Sequence, residues 1–247
     1  MIKYLCIIFI LLAPLSLACE KTLKVGIGQP WPPFVFKGER TLSGIDIDIT
    51  RLVLKKAGFC SQFVLLPSSI RGLVELKKGT VDVLPAASYS DERAQYSHFS
   101  LPYRRERMRL FWYENSAFVK HDLQHLMHNG KTFVINSGGY YGEEFAQLSQ
   151  QTDYKSLIVP VKMINQRLLM LKAKRVDFMI DDEVSGLYLM AEKNIEGISL
   201  HPYIVNDNPI HFMFSNKTVS TAHSQKIDDA IKQLETPITN IINHYTQ

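Results

Sequence analysis

The sequence predicts an α/β fold of two lobes, each a mostly parallel sheet flanked by helices. Three observations carry that expectation. Short apolar runs of strand type alternate with helical stripes along the chain, which is the pattern of βαβ units. No low-complexity linker interrupts the alternation. One internal echo relates "LKKGTVDVLPA" (Leu76 to Ala86) to "LKAKRVDFMID" (Leu171 to Asp181), each a helix end, a tight turn and a strand begun by Val-Asp. Two similar lobes place the sites where strands end, in the crevice between them.

The elements follow in order. The opening segment "MIKYLCIIFILLAPLSLACE" carries one early charge, Lys3, then an apolar run from Tyr4 to Ala13, Pro14 and small residues. That run is too short for a comfortable membrane span and reads as a secretory signal peptide over residues 1–18. Ser16 and Ala18 fit a small-x-small cleavage site, leaving Cys19 first in the mature chain, a position that also raises lipoprotein processing. "TLKVGIG" is a strand. "GIDIDITRLVLKKAG" alternates at first, but Ile45, Ile49, Leu52, Val53 and Lys56 share a helical stripe that Gly58 closes.

"QFVLL" is the next strand, "SIRGLVELKKG" a helix stopped by Gly79, and "VDVLPA" a buried strand. The basic cluster "RRERMR" (Arg104 to Arg109) reads as a solvated edge or hinge strand, overlapping the strand "MRLFWY". The helix "HDLQHLMHNG" follows, then the strand "TFVIN", the helix "YYGEEFAQLSQQ" and the strand "LIVP". The helix "INQRLLMLKAKR", the strand "VDFMI" and the helix "DEVSGLYLMAEKN" come next. The tail offers the strand "IHFMFS" and helices near Val219 to Leu234 and Ile238 to Tyr245.

Composition narrows the function. A chain of 247 residues that is 46% hydrophobic buries a full core and is not disordered. Its net charge is +4 and no run of Lys and Arg reaches five, so no nucleic-acid partner is expected. No G-x-S-x-G, Walker or zinc-hydrolase motif occurs, and no cofactor is expected. His121, His125 and His128 share one helix face, but no carboxylate or cysteine completes a metal set, so they read as a solvated face.

Cys6 leaves with the signal, and Cys19 and Cys60 remain. In an oxidising compartment that even count invites a disulfide, because both precede strands expected to be parallel neighbours. The alternative is a buried free thiol at Cys60 beside a lipidated Cys19.

Five segments, in order, resemble a known family: "GQPWPPFVF", "LSGIDIDIT", "LKKGTVDVLPAASYSDERAQYSHFSLPY", "NGKTFVINSGGYYGEEF" and "AKRVDFMIDDEVSGLY". They look like an extracytoplasmic solute-binding protein of family 3, the venus-flytrap receptors of polar amino acid ABC transporters. The resemblance runs from about Lys21 to Leu234. It implies a periplasmic-binding-protein-like fold with lobe 1 at 20–111 plus 209–247 and lobe 2 at 112–208. Leu110 to Tyr113 and Asn206 to His211 would then be the hinge, and capture would be its closure. The implied partners are a small amino acid-like ligand and an ABC permease, for a protein that works as a periplasmic monomer.

The same resemblance implies a site. Arg93 would fork onto the ligand's α-carboxylate, for which a planar guanidinium is suited; the plain alternative is a surface pair with Asp91 or Glu92. Ser88 would reach the same carboxylate, or merely form a turn, and Ala86 would offer its carbonyl to the ligand's amine. Ser90 fits better as a helix N-cap. Asp182 matches the second-lobe aspartate that meets the ammonium, against the alternative of an N-cap. Trp31 would lie over the ligand side chain, against core packing. Asn136 and Tyr140 flank "NSGG".

The chain also departs from the family pattern. Gly139 stands where a Thr is usual, and Ser69 where an aromatic is frequent. The acid that some amine-binding members place near Gly28 is missing. A wider pocket is the expected result.

A different class stays open on the same fold. Cyclohexadienyl dehydratases share an "N-x-G-G" stretch, but their catalytic glutamate falls at Ser185 here, so the expected general acid is missing. A sensor module of a larger membrane protein would need a further domain, and none is expected in this chain. An orphan periplasmic receptor would read the same as a transport receptor.

Overall fold

The computed structural model describes residues 19–39, 41–113 and 120–246; the expected signal peptide lies outside them. The first elements are β1 (Lys21–Ile27), β2 (Phe36–Lys37), β3 (Leu42–Ser43), α1 (Ile45–Lys56), β4 (Phe59–Leu65), α2 (Ser69–Lys78) and β5 (Val83–Ser88). Then come α3 (Asp91–Ala94), β6 (Ser97–Phe99), β7 (Arg104–Tyr113), α4 (Leu123–His128), β8 (Phe133–Ile135), α5 (Glu143–Gln150) and α6 (Thr152–Lys155). The chain closes with β9 (Ile158–Pro160), α7 (Ile164–Lys172), β10 (Phe178–Asp182), α8 (Glu183–Glu192), β11 (Ile198–Ser215), α9 (Thr221–Gln233) and α10 (Glu235–Thr246).

One sheet threads the molecule in the order β4-β1-β5-β11-β7-β10-β8-β9, with β6 added alongside β11. At either end three strands run parallel, β4-β1-β5 and β10-β8-β9, because a helical crossover separates each from the next. Between the two trios lie the antiparallel strands β11 and β7. Strand order reverses at β1 in one trio and at β8 in the other, so each trio has its own switch point, where α/β sheets bind ligands.

The internal echo has a physical basis. Helix α2 ends at Gly79 with φ 82°, and the turn after α7 passes through Lys174 with φ 54°, so both helices are stopped by one left-handed residue. Asp82 then accepts the Lys24 N–H at 2.7 Å, and Asp177 accepts the Thr132 N–H at 2.9 Å. In each lobe the Val-Asp aspartate thus ties the strand it starts to the chain beside the neighbouring parallel strand.

Four apolar clusters of described residues pack against the sheet, the smallest of them Leu76, Val81, Ala87 and Met213. One gathers Leu23, Val25, Ile47, Val53, Phe212 and Ile227; a second gathers Leu110, Phe133 and Phe178, and a third Leu168, Met179 and Leu189. Along β7 the change from the first to the second falls between Tyr103 and Met108, and along β11 between Val205 and Ile210.

Three local readings are corrected. β11 extends back to Ile198, well before "IHFMFS", because nine of its residues pair with β7. The basic cluster opens β7, but it is not simply solvated: Arg104 and Glu106 are buried on one face, while Arg105 and Arg107 face outward to Asp207. Cys60 lies inside β4 opposite Thr22, not before the strand; it is disulfide-bonded to Cys19, with Cα atoms 5.5 Å apart.

Candidate functional site

The two switch points face each other across a cavity of about 170 Å³. Six of the seven residues singled out for ligand contact line it: Trp31, Ala86, Ser88, Arg93, Asn136 and Tyr140.

The first-lobe wall is built by an irregularity in β5. Register with β11 slips where Leu84 to Ala87 on β5 faces Met213 to His211 on β11. Pro85 supplies no N–H to the ladder, and Ala86 adopts φ 56°, uncommon for a residue with a side chain. The freed Ala86 N–H donates to the Tyr103 hydroxyl at 2.8 Å. β5 then ends at Ser88, and Ser90 caps α3 by accepting the Arg93 N–H at 3.3 Å. That turn sends the Arg93 guanidinium back, where Nη1 donates to the Ser88 carbonyl at 2.8 Å. Its Nη2 reaches the Gly138 carbonyl of the other lobe at 3.3 Å, and its charge lies 5.9 Å from the Tyr140 ring. Arg93 forms no ion pair with any described carboxylate, Asp91 and Glu92 included.

The lobes also touch at other points of the rim. Trp31 Nε1 donates to Asp181 Oδ1 at 3.0 Å, and Asn136 Nδ2 to Ser69 Oγ at 3.4 Å. Trp31 packs partly against the cores of both lobes, so it is a core residue and a cavity residue together. The departures at Gly139 and Ser69 gain a reason. A Cβ on Gly139 would lie 2.7 Å from the Tyr141 hydroxyl, which the Asn136 N–H holds at 2.7 Å. Tyr141 therefore takes the space of the missing side chain, and Ser69 serves the inter-lobe contact.

Asp182, expected at the ligand's ammonium with an N-cap as the alternative, takes up that alternative in this structure. It does not line the cavity; its Oδ1 accepts the N–H groups of Val184 and Ser185 at 2.8 and 3.1 Å and caps α8. Burial pushes its carboxyl up to about 6, with Arg104 and the Ser185 N–H pulling the other way and Asp181 adding to the rise. The adjacent Asp181 lines the cavity, but Arg167 grips it through Nε at 3.0 Å and Nη2 at 2.5 Å. Ser185, where an enzyme of this fold would carry its glutamate, donates its hydroxyl to the Pro32 carbonyl, and Glu183 pairs with Arg109.

Sequence reasoning missed the floor. Asp46 at the start of α1 takes Arg104 bidentately, Nε and Nη2 each at 2.8 Å, and the Tyr103 hydroxyl at 2.7 Å. Glu106, two residues along β7, is 4% exposed and also lines the cavity. Its carboxylate accepts only a long bond, 3.4 Å, from Ser88 Oγ. Burial pushes its carboxyl up to about 8; Arg104 opposes this, and Asp182, Asp46 and Asp181 reinforce it. The available signal was the period of two in "RRERMR", which puts Arg104, Glu106 and Met108 on one face.

With this geometry in place, comparison with known proteins is decisive for family. The model of bacterial extracellular solute-binding proteins, family 3, matches residues 23–245. The chain belongs to that family. A probable histidine-binding protein of Campylobacter jejuni subsp. jejuni serotype O:2 (strain ATCC 700819 / NCTC 11168) is 28% identical over 216 residues, 85% of this chain and 79% of that protein.

Among solved structures, the P235GK mutant of the T. maritima protein ArgBP superposes with a TM-score of 0.76 at 18% identity, covering 91% of this chain and 94% of that one. A histidine kinase sensor domain with similarity to periplasmic binding proteins gives 0.78 at 20% identity, covering 92% and 96%. At such identities the two structures establish the two-lobed fold alone. Members of the family are extracytoplasmic solute-binding proteins.

Proposed function

We propose that this solute-binding protein is an exported receptor for a polar α-amino acid, which it captures unchanged between its lobes and presents to an ABC-type permease. The observation that carries the reading is Arg93: a cavity-lining guanidinium without a carboxylate partner among the described residues, its fork spanned between the two lobes. A ligand carboxylate would supply the charge-assisted, bidentate acceptor that two backbone carbonyls do not. The binding function named for the Campylobacter relative agrees with this class of ligand.

Further features support the finer parts. Residues 1–18 read as an export signal, which puts the mature protein in the periplasm. A Cys19 sulfur engaged with Cys60 has no thiol left for a lipid, which favours an unanchored protein over a lipid-anchored one. The paired strands β7 and β11 are the hinge about which the lobes close. Ser185 and Glu183, both engaged elsewhere, leave no general acid at the dehydratase position, which favours binding over catalysis.

The test is a thermal-shift panel on protein unfolded and refolded to strip any carried ligand, using the twenty amino acids, ornithine, small dicarboxylates and prephenate. A ligand at about 100 times its Kd adds about 2.7 kcal/mol, an upshift of several degrees. Arg93→Ala is expected to abolish that shift and keep the fold, and Arg93→Lys to restore little of it, since a point charge lacks the fork. Full binding by Arg93→Ala would overturn the assignment, and a response to prephenate alone would overturn the receptor reading.

A further inference from the structure

The carboxylates around the cavity differ in how they are engaged. Asp46 is bidentate with Arg104 and also takes the Tyr103 hydroxyl. Asp181 is held by Arg167 and Trp31, and Asp182 is turned onto the N-terminus of α8. Glu106 is different. It is buried, lines the cavity and forms no ion pair with any described residue. The alternation of β7 fixes its direction: Arg104, Glu106 and Met108 point inward, while Arg105 and Arg107 meet Asp207 on the outside. A carboxylate taken out of water without a cation is costly, and the cost is relieved by a proton or by a cationic partner.

Resting on the receptor reading above, we propose that Glu106 accepts the cationic ammonium of the ligand, and that the proton Glu106 carries beforehand leaves for solvent as the ligand docks. Both ends of a zwitterion are then read around one residue. Arg93 is anchored on the Ser88 carbonyl and Glu106 on the Ser88 hydroxyl, so the carboxylate and ammonium of an α-amino acid have their counter-charges side by side.

The charged groups facing Glu106 are Arg93 from α3, Arg104 from β7 itself, Asp46 from α1, and Asp181 and Asp182 from the end of β10. Burial, opposed by Arg104 and reinforced by Asp182, Asp46 and Asp181, keeps the proton on the carboxyl up to about pH 8. The exchange is balanced: the Glu106 carboxylic acid and the ligand's ammonium give a carboxylate–ammonium pair and one free proton. Ser88, which sequence reading tied to the ligand's carboxylate, instead becomes the hinge-pin between both recognition groups.

The experiment is isothermal calorimetry at pH 7 with L-histidine, L-arginine and L-glutamine, each run in phosphate, imidazole and Tris, whose ionisation enthalpies differ. For any of these that binds, wild type is expected to release close to one proton per ligand. Its affinity is expected to rise about tenfold or more between pH 6 and pH 8, because the empty carboxyl must first ionise. Glu106→Gln is expected to bind more weakly, release no proton and show a flat profile over that range.

Binding with no proton released and no pH slope in wild type would overturn the assignment of Glu106 while leaving the receptor reading intact. If no amino acid of the full panel binds, the receptor reading falls and this inference with it. Should Glu106→Gln fail to fold, the wild-type buffer series decides alone.

Discussion

Replacing Asp46 with Ala removes the centre of the cavity floor. Asp46 is fully buried, and the Arg104 side chain bound to it is 2% exposed. The substitution leaves a guanidinium with two lost charge-assisted bonds and a Tyr103 hydroxyl with a lost acceptor. What remains to Arg104 among the described contacts is the Arg105 carbonyl at 3.3 Å and the rings of Phe34 at 4.2 Å and of Trp31 and Tyr103 at 5.9 Å, all present already in the wild type, so none compensates. Breaking a buried ion pair from one side costs about 3–5 kcal/mol, because the surviving charge is stranded. At about 2–4 °C per kcal/mol for a chain of this size, the loss is about 6–20 °C in Tm.

Urea unfolding and a thermal scan both read it. The double variant Asp46→Ala/Arg104→Met is expected to recover more than half of the loss, since it removes the stranded charge along with its partner. A single variant that loses less than about 1 kcal/mol, or a double variant no better than the single, would refute the claim that the pair is dry and mutually dependent.

Two further predictions concern stability. Cys60→Ser opens a loop between residues 41 apart in sequence and is expected to cost about 4 kcal/mol on the chain-entropy account, read as a urea midpoint with and without reductant. A loss that reductant reproduces in wild type but not in the variant is the required pattern. Glu106→Gln is expected to flatten the pH dependence of stability. The folded carboxyl keeps its proton to about pH 8, against an unperturbed value of 4.5, so between them the folded state binds more protons and wild type loses stability as pH rises. The variant, which has nothing to ionise there, is expected to gain on wild type by a few kcal/mol from about pH 5 to pH 8. Equal urea midpoints at both ends of the range would contradict a buried, proton-holding Glu106.

The parallel trios were legible because their evidence is local. Apolar runs such as "VDVLPA" and "VDFMI", each preceded by a helix and a left-handed turn, carry their pairing partners within one βαβ unit. The cap at Ser90 was legible for the same reason, since it and the Arg93 N–H it accepts lie within four residues of chain; the ligand role expected of Arg93 came from the family resemblance.

The floor was not. Arg104 stands in a run of arginines, and what buries it is Asp46, 58 residues away in sequence. β11 was read only from Ile210 because its earlier half, with Asn206, Asp207 and Asn208, is polar and takes its extended form from β7. Of the two adjacent aspartates, spacing from Asp177 favoured Asp182 over Asp181 for the ligand. Only the cap geometry at α8 and the reach of Arg167 assign Asp182 to the helix and Asp181 to the cavity wall.

One feature of β7 bears on how such a molecule reports what it holds. Its inward Glu106 and Met108 line the cavity, its outward Arg105 and Arg107 grip Asp207 on β11, and the two strands lie between the parallel trios. On the proposed reading, sensor and fulcrum are the same ten residues. Occupancy then has no distance to travel, because the strand whose inner face meets the ligand is itself one of the two that join the lobes.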